Sequence, residues 1–200
     1  MIPHHQRWAS DSMNRLLILA ALVISLGQSA AATESGERLQ RLREVMTERL
    51  VIMEQVARYK WNAGLPVEDP DREAAILKKT LAIAVGGGLN PEFATRVVRA
   101  QIEAAKIVQN ALFEQWRIAG AGKFAEVPSL TAILRPEVTR LSNELIAALI
   151  AAQDDLDDCL ARRILSPVPG VLARFPGAWR AAIDGTLGAT GPCPSPADGP

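Results

Sequence analysis

From residue 35 to residue 187 the apolar side chains recur every three or four positions, the repeat of one face of an α-helix, and no stretch alternates with the two-residue period of a half-buried strand. The pattern predicts an all-α chain of four long helices and a short last one. The first runs from about Ser35 to Asn62 and is stopped by Gly64-Leu65-Pro66. Asp69-Pro70 opens the second, an N-cap acid followed by proline at the first helical position, and Gly86-Gly87-Gly88 closes it. Asn90-Pro91 opens the third in the same way. It continues to about Trp116, before a loop carrying Gly120, Gly122 and Pro128. The fourth is expected from about Pro136 to Ile164, with Val138, Leu141, Leu145, Leu149, Ala152 and Leu156 as its core-facing seam. Pro167, Pro169 and Gly170 break it, and a last helix covers about Gly177 to Leu187.

Ahead of these helices lies a different pattern. Arg15 precedes an unbroken apolar run from Leu16 to Leu26, and Ser29-Ala30-Ala31-Ala32 follows, the layout of a secretory signal peptide with a small-residue cleavage site. The run is shorter than the ~20 residues a spanning helix needs, so a permanent anchor is the weaker reading. Residues 1–32 are therefore expected to be a leader and 33–200 a single helical domain, with no membrane association once the leader is cut. Removal of the leader takes away both histidines, His4 and His5. A mature chain without imidazole has no Ser-His-Asp or Cys-His nucleophile system, no His-ligated zinc and no His general acid or base.

Charge and cysteine content narrow the classes further. Twenty-two Lys+Arg balance 22 Asp+Glu, which leaves no basic field for nucleic acid, and 48% hydrophobic residues are enough for a core. Cys159 and Cys193 are too few for a thiolate metal site and suit one bridge in an oxidising compartment. A Cys159–Cys193 disulfide is the expectation, holding the Pro/Gly-rich tail, with two unpaired thiols as the alternative. Asp154, Asp155, Asp157 and Asp158 lack the loop spacing of a calcium site and are expected to form a solvated face, so no metal is expected.

Candidate chemistry lies where the apolar stripes are interrupted. In the first helix, positions 39, 42, 46, 49, 53, 56 and 60 share one face, and two of them are Arg49 and Lys60 among Leu39, Leu42, Met46, Met53 and Val56. A buried cation without a partner costs several kcal/mol, so something anionic should meet these two. Core carboxylates, or snorkelling of the long side chains to the helix flank, are the other ways to satisfy them. The third helix shows Gln109 in the stripe Val98, Ile102, Ala105, Leu112, Trp116. Its amide either donates to a ligand oxygen or makes one inter-helical hydrogen bond. At the start of the second helix Asp69, Arg72, Glu73 and Ile76 cluster, with Asp69 already useful as the N-cap.

At these residues the chain resembles the all-helical type II chorismate mutases. The resemblance rests on Glu48-Arg49-Leu50, on Val56-Ala57-Arg58-Tyr59-Lys60-Trp61, on Leu65 to Glu73, and on Ala100 to Gln109, and it is dense over residues 41–117. The leader, the length and the late cysteine pair look like the secreted, gamma-type branch, with residues 129–200 as a disulfide-stapled C-terminal extension. The resemblance implies a helical bundle with a long first helix, exported to the periplasm or beyond. It implies the rearrangement of chorismate to prephenate, a step toward phenylalanine and tyrosine, without a cofactor. A homodimer is implied by it alone.

Residue by residue, the resemblance gives Arg49 a substrate carboxylate, Lys60 a carboxylate and the ether oxygen, Gln109 the same ether oxygen, and Arg72 the other polar end of the substrate. Asp69 and Glu73 look like the groups around the ring hydroxyl, and Ile76 and Ala105 like wall residues. A further arginine enters the pocket in the secreted branch, for which Arg135 is the best match and Arg140 the fallback. Arg135 precedes Pro136, which biases it toward an extended backbone. Lys106, beside the Gln109 stripe, is expected to flank the pocket. The reading from another class is a non-catalytic helical module that binds an anionic metabolite or a partner helix.

Overall fold

The computed structural model describes residues 31–157, 159–188 and Cys193. The chain divides into two units, Met1–Glu37 and Arg38–Pro200. Of the first, residues 31–37 are described and are helical. The signal-peptide reading falls on residues that, but for Ala31 and Ala32, lie outside the described ones.

The second unit is helical throughout, and no strand occurs among the described residues. Helix α1 covers residues 38–51 and α2 is Met53–Ala63. The two form the expected first rod, interrupted only at Ile52, whose backbone stays right-handed helical. Gly64, at φ 64°, ends the rod by a left-handed turn in which Leu65 N–H donates to Lys60 O at 2.9 Å. Helix α3 is Pro70–Gly86, and the Asp69 carboxylate accepts from Arg72 N–H as its cap. Helix α4, Pro91–Ile118, is capped by Asn90, which accepts from the N–H groups of Glu92 and Phe93.

The fourth segment departs from expectation at both ends. A wide turn, Leu130–Leu134, comes first, in which the N–H groups of Leu134 and Arg135 reach back five residues to the carbonyls of Ser129 and Leu130. Helix α5, Arg135–Ala152, follows with Arg135 already right-handed helical at φ −64° and ψ −43°. The bias of a pre-proline residue is overridden because Pro136 sits in the first turn, where its missing N–H costs nothing and the widened turn before it eases the clash of its ring. At the other end the helix stops at Ala152, turns through Gln153–Asp155, and resumes as α6, Cys159–Leu165. Acids at Asp154 and Asp155 meet the negative end of the helix dipole there, and Asp155 is drawn to Arg38, which donates to it at 2.8 Å. Asp155 is thus paired and 13% exposed rather than part of a solvated face. Asp158 lies outside the described residues.

Helix α7, Pro176–Leu187, packs along α4 so closely that a Cβ on Gly185 would overlap the Ala100 side chain. Trp179 on α7 is fully buried and donates to Leu165 O at 2.9 Å. The core joins Leu39, Leu42, Met46 and Leu50 of α1 to Leu112 of α4, Leu149 of α5 and Leu165 of α6. No described helix is long and apolar enough to cross a membrane. Cys159 and Cys193 are bonded, with Cα atoms 5.5 Å apart.

Because the bridge closes a loop of 34 residues, replacing both cysteines by serine lowers the unfolding free energy by about 3–4 kcal/mol. Urea melts of the two proteins check it. Equal midpoints would show that the tail adds nothing to the fold.

Candidate active site

One pocket, enclosing about 680 Å³ of empty space that is partly open solvent, takes side chains from every element between α1 and α5. It brings together all nine residues expected to bind substrate: Arg49, Lys60, Asp69, Arg72, Glu73, Ile76, Ala105, Gln109 and Arg135. Arg140 is elsewhere, paired with Glu137 and Glu144 on the outer face of α5.

Arg49 sits in the last turn of α1 on its buried face, and its residue is 4% exposed. Its Nη1 donates to Gln101 O at 2.9 Å and lies 3.5 Å from Gln101 Oε1, and its Nε lies 3.4 Å from Ser142 Oγ. Each partner is neutral, and no carboxylate among the described residues is within ion-pairing distance. Burial alone pushes its pKa down to about 10. Neither the core-carboxylate reading nor snorkelling describes it. The guanidinium is oriented by dipoles from α4 and α5 and keeps its charge uncompensated.

Lys60 lies at the end of α2, where the Gly64 turn sends the chain back along the helix. Its ammonium donates to Val67 O at 2.6 Å. Burial lowers its pKa below the ordinary lysine value, while the carboxylates of Asp69, Glu68 and Glu73 resist that shift and Arg135 adds to it. Gln109, 5% exposed, donates to Ala105 O at 3.0 Å and contacts Met53 Sδ at 3.7 Å. Its Oε1 is buried with no partner. The second N–H of the amide is spent only on the thioether, a weak acceptor that a ligand oxygen can replace, and the orphan Oε1 is relieved by a donor or water entering there.

The two carboxylates of the lining are both engaged. Asp69 lies 3.5 Å from the Arg135 guanidinium and caps α3. Glu73 accepts from Lys106 Nζ at 3.3 Å and from Asp69 N–H at 3.2 Å. Lys106 therefore lines the pocket rather than flanking it, tied also to Glu103 at 2.7 Å. Five cations against two carboxylates leave three positive charges in excess, and Arg49, Lys60 and Arg72 make no ion pair among the described residues. The walls between are apolar: Met53, Val56, Ile76, Ile102, Leu130 and Val138. Such a site suits a small dianion with further acceptor oxygens and an apolar body.

Sequence reasoning set Lys106 at the flank of the pocket and missed Ser142 and Gln101. Lys106 had a signal, since it falls four residues after Ile102 and three before Gln109. Ser142 and Gln101 had none, because a lone small hydroxyl or amide beside a seam does not announce what it will touch.

Residues 40–110 match the family model of chorismate mutase type II. A secreted chorismate mutase of Mycobacterium tuberculosis is 31% identical over 132 residues, 66% of this chain and 66% of that protein. One of Yersinia pestis is 30% identical over 107 residues, 54% of this chain and 58% of that protein. The matches thus span less than two thirds of the length of these curated relatives. Among solved structures, a chorismate mutase from Burkholderia thailandensis superposes with a TM-score of 0.63 and 35% identity, over 75% of this chain and 96% of that one.

A buried, hydrogen-bonded but uncompensated cation predicts that Arg49→Met melts at or above the temperature of the parent, since an apolar side chain of similar length avoids the cost of burying charge. Calorimetry checks it. A fall of many degrees would show that the guanidinium holds the helices together.

Proposed function

The chain belongs to the chorismate mutase type II family, and from that premise we propose that its pocket converts chorismate to prephenate. The observation that carries this is the trio Arg49, Lys60 and Arg72, from three helices, aimed at one pocket whose own carboxylates are already paired. Chorismate is a compact dianion with an ether oxygen and a ring hydroxyl. Family membership does not favour the alternative of a non-catalytic module.

The reaction is an intramolecular [3,3] rearrangement. One C–O bond breaks as one C–C bond forms, no proton moves and no covalent intermediate is made. What the protein supplies is orientation and charge. Arg49 grips one carboxylate from a fixed position on α1, Arg72 and Arg135 the other polar end, and the apolar walls press the enolpyruvyl arm over the ring. As the C–O bond lengthens, its oxygen gains negative character. Lys60 and the Gln109 N–H that otherwise rests on Met53 Sδ, a weak acceptor, meet that charge, which is larger in the transition state than in the bound substrate. Asp69 and Glu73 stand around the ring hydroxyl, which donates to one of them, and Ile76 and Ala105 shape the wall.

The secreted relatives and the leader pattern of residues 1–32 support export, to the periplasm or beyond. Residues 33–200 then form the working domain. A homodimer is the assembly the family resemblance suggests, and sedimentation of the mature chain decides it.

Incubation of the purified chain with chorismate is the test. Loss of chorismate absorbance with formation of prephenate supports the reading, and its absence removes it. Lys60→Ala lowers kcat/KM by about 10²–10³, and unchanged turnover would overturn the role of Lys60.

The pH profile tests Gln109. With an amide there, kcat/KM stays level between about pH 5 and 8, where only imidazole-like groups ordinarily titrate. It falls on the alkaline side as pH rises through the lowered pKa of Lys60 and the cation is lost. Gln109→Glu donates only when protonated, so its optimum moves to acid pH. A superimposable profile would contradict the assignment.

A further inference from the structure

Beside the substrate pocket, between α3 and α5, lies a second cavity of about 510 Å³ of empty space that is partly open solvent. The two share Arg72, Ile76 and Val138, which line both. The second cavity adds Lys79, Thr80 and Ser142 to Arg72, and no Asp or Glu belongs to its lining. Its charge is thus purely positive. Thr80 is the independent observation. Thr47, Thr95, Thr139 and Thr186 each donate their hydroxyl to the carbonyl four residues earlier, the usual way a helical threonine satisfies itself. Thr80 is 6% exposed and makes no such bond, nor any other hydrogen bond among the described residues. The Thr80 hydroxyl is not among the fully buried unpartnered atoms, so it stands open to the cavity, where a ligand oxygen or a water completes it.

We propose that this cavity is a side site for a small free oxyanion, a phosphate or a carboxylate, held by Lys79, the Thr80 hydroxyl and Arg72. Lys79 supplies a charge from the rim and Thr80 a hydrogen bond from the floor. Arg72 cannot serve this anion and the substrate at once. Occupation of the side site therefore withdraws Arg72 from the substrate pocket and raises the KM for chorismate, leaving kcat near its basal value. The anion-binding half stands by itself, and the effect on KM rests on the chorismate mutase reading.

The probes are inorganic phosphate and acetate, each titrated at constant ionic strength against chloride. In the parent, phosphate or acetate raises the melting temperature, and at a concentration equal to its dissociation constant it raises the apparent KM about twofold. Which of the two acts identifies the oxyanion. Lys79→Gln and Thr80→Val, neither of which lines the substrate pocket, keep the basal kcat and KM but lose both effects, and Thr80→Ser retains them. Inhibition that persists undiminished in Lys79→Gln and Thr80→Val would place the anion in the substrate pocket and overturn the proposal. So would a parent whose melting temperature neither anion moves. Should chorismate not be turned over at all, the melting shifts and their loss in the variants still decide the side site.

Discussion

The burial of Arg49 without a counter-carboxylate is the constraint on which the rest of the structure depends. A buried cation costs several kcal/mol unless paired, and here the available partners are a backbone carbonyl, an amide oxygen and a hydroxyl. These fix the direction of the guanidinium without cancelling its charge. The cost is met by the apolar residues on the same face: Leu39, Leu42, Met46 and Leu50 are fully buried, each contributing about 1.5–3 kcal/mol. The long apolar rod is thus what allows a cation to be held inside, and the ligand that neutralises it gains the energy the apoprotein forgoes.

A site assembled from five elements needs each of them ended at the right residue. The Gly64 turn brings Val67 back onto Lys60, and the Asp69 cap starts α3 with Arg72 and Glu73 at the pocket. The loop after α4 is held by a reciprocal pair, Asn62 donating to Phe124 O and accepting from Phe124 N–H, both at 2.8 Å. The same loop leads into the wide turn that delivers Arg135. Two contacts at the end of α2 therefore govern where a residue more than seventy positions later enters the chain's pocket, and a displacement of about 1 Å at such groups is enough to lose most of an orientation effect.

Much of this was legible because a helix with a 3.6-residue period makes an intruder visible: Arg49, Lys60 and Gln109 stand where an apolar residue is due. Caps were legible too, since Asp69-Pro70 and Asn90-Pro91 work by local chemistry. What escaped has a common cause in long-range contact. The break after Ala152 was hidden because Leu156 and Leu160 continue the apolar spacing, while the partner that holds Asp155 in the turn is Arg38, 117 residues away. The five-residue reach of the turn before Arg135 likewise leaves no mark on spacing, and it reverses the local bias of a residue before proline. Ser142 and Gln101 became informative only when a third helix placed Arg49 between them.

The charges of the pocket divide into two kinds, and the division follows burial. Arg135 and Asp69 are each 39% exposed and 3.5 Å apart, a pair worth about 0–1 kcal/mol in water. On the proposed reading an incoming carboxylate displaces Asp69 from Arg135 at little cost, trading one ion pair for another. Arg49 has no pair to lose, and in its drier surroundings the same carboxylate interacts far more strongly. Affinity therefore concentrates at the buried end and adjustability at the rim. The proposed rearrangement suits a histidine-free site on these terms because it asks no group to change protonation state: the cations are placed in advance, the acids are occupied, and the charge that moves is that of the guest.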